Sequence, residues 1–265
     1  MFAHQVIEDL KRYDEKICPL KNFFIDNIII SQKFHMGDIN SIRNATQSLE
    51  NKPLFENELE LPYDILWFDV FTPNWRDVSC LGVLLYYNKE NRLVIHQFGK
   101  SKKDHLWVAP PVWTEFTIGS STVKYGSTKD TFLNKDFIEL MGLNIGASLA
   151  EASLLLLTCK NITTETILPP EKLNIKRRKN GKQELFSYHV LNVTLPSQKQ
   201  GYREKTDPNY HVRVHLCRGH FKEYTNEHPL FGSLTGRYWW QPHVRGQNHN
   251  GVVMKDYEVK QRAVA

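Results

Sequence analysis

The chain has 265 residues, 41% of them hydrophobic and 24% charged, with a formal net charge of +5. That is ordinary for a soluble globular protein whose core fills one large domain or two small ones. Cys18, Cys80, Cys159 and Cys217 are far apart with no C-x-x-C, which argues against a disulfide scaffold or a zinc ribbon and for free thiols in a reducing cytosol.

In chain order, residues 4–17 (HQVIEDLKRYDEKI) place Val6, Ile7, Leu10, Tyr13 and Ile17 at helical spacing, and Pro19 closes the segment. The same stretch carries acids at Glu8, Asp9, Asp14 and Glu15 and no apolar leader, so no signal peptide is expected and the location is cytoplasmic. FFIDNIII (23–30) fits a helix, and 38–50 a further short helix with Asp38 as N-cap. After Pro53 the texture changes. Segments 63–71, 81–87, 92–98, 106–108 and 113–118 are short and rich in aromatic and β-branched residues, with polar turns between them, which predicts an antiparallel meander. Residues 136–158 are too long for a strand and read as a buried helix. Its apolar run falls short of the roughly 18 residues that span a bilayer.

Residues 169–183 read as a polar connection, 185–194 as a strand and 197–209 as a loop. The fold class expected is α+β: N-terminal helices, a central antiparallel sheet with a long packed helix, and a C-terminal basic β-hairpin. The expected divisions are 1–52, helical; 53–168, sheet and buried helix; and 169–265, a basic His- and Arg-rich region compact with the rest.

Charge is distributed unevenly. Residues 171–265 hold 17 Lys and Arg against 8 Asp and Glu, a balance of +9. The preceding 170 residues hold 17 against 21, a balance of −4, and seven of the 11 histidines follow residue 170. Such asymmetry points to a polyanionic partner or to a solvated basic surface.

Two stretches concentrate the signal: HVRVHLCRGHF (211–221) and YWWQPHVRG (238–246). Strand alternation puts His211, Arg213, His215 and Cys217 on one face and Val212, Val214 and Leu216 on the other. A bulge at Gly219 is expected to reset the phase and bring His220 beside His215. Arg237, Trp239, Gln241, His243 and Arg245 share one side of the second strand, and Pro242 suggests an edge. Segments 210–218 and 237–245 are expected to pair antiparallel.

His215, Arg218, His220 and His243 are the candidate catalytic residues. Two histidines flanking a phosphodiester act as general base and acid while arginine stabilises the phosphorane. Arg213, Arg245, Tyr224, Trp239 and Trp240 are candidates for binding RNA or a partner, through guanidinium–phosphate contacts and base stacking. Lys172, Lys176, Arg177, Arg178, Lys179 and Lys182 would extend that track. The alternative is a solvated hairpin face. H-x3-H-x-C-x2-H matches no familiar zinc spacing, so neither metal nor cofactor is expected. Asp64 and Asp69 read as strand-end, solvent-facing groups and His96 as a satisfied sheet histidine. No P-loop or G-x-G-x-x-G is present.

The run through Arg218, Gly219, His220, Phe221 and Tyr224, followed by Trp240 and Pro242, resembles the C-terminal signature of a broad family of phage and mobile-element proteins. Its named member is the second type V-A anti-CRISPR. The resemblance implies an anti-defence protein in the host bacterial cytoplasm that lowers the transcript of its target during translation. The implied partner is RNA or the ribosome–nascent chain complex of a host defence protein. A metal-free endoribonuclease using the same histidines is the alternative. A DNA-binding phage regulator is a further one, although no helix-turn-helix pattern is evident.

Overall fold

The computed structural model describes residues 1–39, 61–75, 77–117, 123–128, 143–194, 196, 213–217, 219–245 and 247–252. The fold is α+β. Among the described residues the main sheet has nine strands. These are β1 (Gln32–Asp38), β2 (Ile65–Phe71), β3 (Val78–Tyr87), β4 (Arg92–Ser101), β5 (Trp107–Val108), β6 (Val112–Thr117), β7 (Val123–Ser127), β8 (Ile162–Ile167) and β9 (Tyr188–Val193). They lie in the order β7-β6-β4-β3-β2-β1-β9-β8, with β5 paired to β4.

Alternation along the central strands sorts the core into two layers. Leu66, Phe68 and Val70 of β2 and Leu81, Val83 and Leu85 of β3 pack against Ala147, Ala150 and Leu154 of α3 (Leu143–Leu157). Trp67, Leu84 and Phe98 face the other way. They meet Val6, Ile7 and Leu10 of α1 (Ala3–Leu10) and Phe24 and Ile28 of α2 (Lys21–Ile30). Each buried Val, Leu, Ile or Phe among them contributes about 1.5–3 kcal/mol by leaving water. The expected meander is present from β2 through β7, all antiparallel.

The sheet as a whole is mixed, because β1 runs parallel to both β2 and β9. Nothing in QKFHMGD suggested a strand. Phe34 and Met36 enter the α3 layer, while Lys33 and His35 point away from it and find polar partners there. Asp38 closes this strand, directly before Ile39, which is helical. The helix expected over 38–50 lies outside the described residues from position 40 onward. So do the part of the 136–158 helix before residue 143 and the loop expected over 197–209.

The polar connection expected over 169–183 is instead largely a helix, α4 (Glu171–Lys179). Pro170 stands at its N-cap, Glu171 in the first turn and Lys176 to Lys179 in the last. Acid at the positive end and base at the negative end of the dipole favour the helix. No residue of α4 is buried, so no apolar stripe announced it.

The C-terminal hairpin forms as two short ladders. β10 (Arg213–Cys217) pairs antiparallel with β13 (His243–Arg245), and β11 (His220–Tyr224) with β12 (Gly236–Trp240). β14 (Gln247–Val252) runs parallel to β10 on its other side.

Candidate functional site

The hairpin register decides which of its residues are neighbours. His215 lies opposite Arg245 and Cys217 opposite His243. Beyond a gap in the ladder, His220 lies opposite Trp240 and Phe221 opposite Trp239. From Cys217 to His220 is three steps along one strand, and from His243 to Trp240 is three steps back along the other. No residue is inserted, so the expected bulge at Gly219 is absent. His220 therefore keeps the opposite parity to His215 and His243, and the pairing does not supply the shift that would gather all three.

Gly219 has another role. A Cβ there would sit 2.8 Å from the Trp239 ring and 3.0 Å from Pro242 Cδ, so the crossing at the gap is too close for a side chain. Trp239 is 4% exposed and packs in the α3 core, with the Phe221 ring at 4.8 Å. It is a core anchor and not a stacking platform for bases. Trp240 is half-buried, and among the described residues its indole N–H is buried without an acceptor. Tyr224 is half-buried, edge-on to Tyr238, with the Lys222 ammonium 4.7 Å from its ring centroid. His220, Lys222, Gln241 and His243 are exposed. His243 Nδ1 donates to the Gln241 carbonyl at 3.0 Å. Arg213, His215 and Arg245 are placed by backbone register, and Arg218 lies outside the described residues.

The basic run of α4 divides in two. Arg177 is half-buried, donating to Glu8 Oε1 at 2.7 Å and to the Gln183 carbonyl at 2.7 Å, and so ties α4 to α1. Arg178 makes a bidentate pair with Glu184, both contacts at 2.8 Å. Lys172, Lys176, Lys179 and Lys182 are exposed and, among the described residues, pair with no carboxylate. Because α4 is anchored to α1 and the hairpin to the α3 core, the two basic surfaces are fixed on opposite faces of the sheet.

A second constellation escaped the sequence reading. Asp69, expected at the solvent, is 0% exposed. Its Oδ2 accepts from the Phe2 backbone N–H at 2.7 Å and from the Trp67 indole at 2.9 Å, while Oδ1 lies 2.6 Å from His35 Nδ1. Three donors compensate the buried carboxylate. The His35 ring is flanked edge-on by Phe2, Phe71 and Tyr188. The β1 register slips between His35 and Asp38, where Gly37 adopts φ +74°. A sequence signal was available in retrospect: a histidine and a glycine inside an otherwise buried strand.

A cavity of about 340 Å³ lies between the sheet, the end of α3 and the hairpin; His35 borders it along β1, while its ring is turned to the opposite face, toward Asp69 and Phe2. The cavity walls include Gly37, Leu156, Leu191, Trp239 and Gln241. Of the other titratable groups inside the fold, His96 has its Nε2 on the Tyr86 hydroxyl at 3.0 Å, and burial lowers it from 6.5 to about 3. Its Nδ1 has no acceptor or donor among the described residues, so it is only half satisfied. Burial, then the Arg177 guanidinium, lowers His4 to about 4. Burial lowers Lys33 to about 8, with its ammonium on the Ile29 and Ser31 carbonyls at the end of α2. Among the described residues no three His, Cys, Asp or Glu side chains are grouped to hold a metal ion, and no helix is long and apolar enough to cross a membrane.

No protein-family model matches the chain, and no curated protein or solved structure matches it significantly.

Proposed function

We propose that the chain is an RNA-directed effector that binds RNA, free or on a translating ribosome, through the C-terminal hairpin. In this proposal it lowers expression of a host defence protein in the bacterial cytoplasm. The observation that carries it is the register of β10 and β13, which sets His215 opposite Arg245 and brings His243 into the same short ladder. Residue types that donate hydrogen bonds to phosphate, held side by side on one short ladder, suit a polyanion with regularly spaced phosphates. The +9 balance after residue 170 supplies the long-range attraction. The anti-defence half of the proposal rests on the resemblance of the residues around Gly219 and His220 to a phage and mobile-element signature.

The test is titration of labelled single-stranded RNA at several salt concentrations. Binding whose log affinity falls linearly with log salt is expected, weakened in the His243→Ala, Arg245→Ala double variant. Absence of binding at low salt, or binding indifferent to salt, overturns the RNA assignment. Tighter binding to duplex DNA than to RNA would move the assignment to a DNA-directed regulator.

A further inference from the structure

We infer that the cavity beside the hairpin is a binding site for one unstacked nucleobase of an RNA whose phosphates lie on the hairpin. The inference rests on the RNA assignment above and adds a site for a base to it. Two strands that part make the cavity. β1 and β9 run parallel, but among the described residues their ladder is limited to Phe34–His189 and His35–Val190. β1 continues to Asp38 and β9 to Val193, beyond the last pair. The β1 register against β2 slips over the same stretch, and Gly37 takes φ +74° there. The cavity fills this fork, bordered by Met36 and Gly37 from one strand and by Leu191 and Val193 from the other. A Cβ on Gly37 would meet nothing within 4 Å, so the space beside it is open.

The lining defines the ligand. Met36, Leu191 and Val193 pack in the α3 layer, where Leu156 and Trp239 join them at the cavity wall. By strand alternation His35 and Val190 turn their side chains to the opposite face, so they border the cavity along the backbone. The fork therefore presents apolar side chains on its walls and strand backbone at its edge. Beyond the last pair, the N–H and C=O groups that β1 and β9 would exchange have no ladder partner among the described residues. Such groups call for a partner where water is excluded. Among the described residues no Asp, Glu, Lys or Arg lines the cavity, so a phosphate would find no counter-charge inside. A nucleobase meets both conditions, with apolar faces and an edge of hydrogen-bond donors and acceptors. The volume of about 340 Å³ falls in the range of small-ligand pockets. Crevices at the carboxyl ends of parallel strands are also where open sheets bind ligands.

The position suits an RNA already held by the hairpin. Gln241 is exposed and borders the cavity, and its carbonyl accepts from His243 Nδ1 at 3.0 Å. The β13 ladder with His243 and Arg245 starts there. Phosphates on that ladder leave a neighbouring base beside the cavity, and the Gln241 amide offers its edge a donor and an acceptor. Only an unpaired base can be splayed out in this way, so the site selects single-stranded RNA over duplex.

The experiment irradiates purified full-length protein bound to a single-stranded RNA that carries 4-thiouridine, and maps the crosslinked peptides by mass spectrometry. Crosslinks at Met36, Gly37 or the stretch 191–193 are expected. Val193→Phe, which fills the cavity from β9, should lose them at an unchanged melting temperature. It should also weaken RNA binding by about tenfold and leave untouched the binding of a ribose–phosphate oligomer of equal length without bases. Equal weakening of both ligands overturns the inference. Crosslinks confined to the exposed residues of the hairpin and α4 also overturn it and leave the binding assignment standing; protein that binds no RNA overturns both. Should Val193→Phe fail to fold, the crosslinks of the wild type decide alone.

Discussion

At Gly219 the chain crosses Trp239 and Pro242 with no room for a methyl group. Gly219→Ala must push the indole out of the α3 core or part the two strands. Overpacking of this kind costs about 1–3 kcal/mol. Chemical denaturation of the variant should show that loss, and a change under about 0.5 kcal/mol would mean that the contact is not tight. His96 makes a prediction about pH. Its ring is inside the sheet and folded protein protonates it only near pH 3, whereas the unfolded chain does so near 6.5. The unfolded state therefore binds the extra proton as pH falls from 6.5 toward about 3, and stability is lost across that window and is fully present above it. His4 acts in the same direction, from 6.5 to about 4. Between pH 6.5 and 5, above most carboxylate titration, the wild type should lose stability steadily, and His96→Leu should flatten that slope. An unchanged slope would show that His96 does not govern it.

At the scale of elements, α4 divides its cations between structure and surface. Arg177 holds the helix to Glu8 of α1, and hydrogen bonds to charged groups are worth about 1.5–3 kcal/mol. Arg177→Ala should lower the melting temperature. The exposed Arg178–Glu184 pair is screened by solvent and adds little to stability. Changing Lys172, Lys176, Lys179 and Lys182 together to Gln should leave the melting temperature in place. Each lysine that meets a phosphate of single-stranded RNA adds about 0.7 to the salt slope of binding, so the quadruple variant should bind long RNA with a visibly flatter slope. A short oligonucleotide that occupies only the hairpin should be indifferent to it, since α4 is anchored on the other face of the sheet. Equal loss for short and long RNA would mean that the two surfaces act as one.

For the whole molecule, a buried side chain, Asn161, holds the hairpin in addition to its packing. Asn161 accepts the Trp239 N–H at 2.9 Å and donates to the Trp239 carbonyl at 2.8 Å, while the Lys160 N–H bonds the Arg237 carbonyl at 2.8 Å. The outer edge of β12 is thereby sealed against the body. Asn161→Leu leaves two buried backbone groups without partners, at about 1–3 kcal/mol each. It should destabilise the protein and, by loosening the hairpin, also weaken RNA binding. Binding at full strength in a destabilised variant would show that the hairpin recognises RNA independently of its docking.

The meander from β2 through β7 was legible because each strand buries alternate residues against a different helical layer, and period two survives in the sequence. α1 was legible for the same kind of reason: Val6, Ile7 and Leu10 repeat at helical spacing toward one core. The antiparallel pairing of the hairpin also followed from its two alternating segments. β1 was not legible. Lys33 and His35 are polar residues inside the fold, tolerable only because the α2 carbonyls and Asp69 reach them from elsewhere in the chain. α4 was missed for the opposite reason, since a helix polar on every side owes its place to Glu8 and Leu185, which lie outside it.

Local pattern thus determined the α+β class, the central strands, the uneven charge and the existence of a basic hairpin, because each depends on residues close together in sequence. Tertiary structure alone decided the rest. It set the parallel insertion of β1, the burial of Asp69 against His35, the separation of the two basic surfaces and the withdrawal of Trp239 into the core. These outcomes depend on which distant groups can satisfy a buried charge, donor or ring, and no spacing along the chain encodes that.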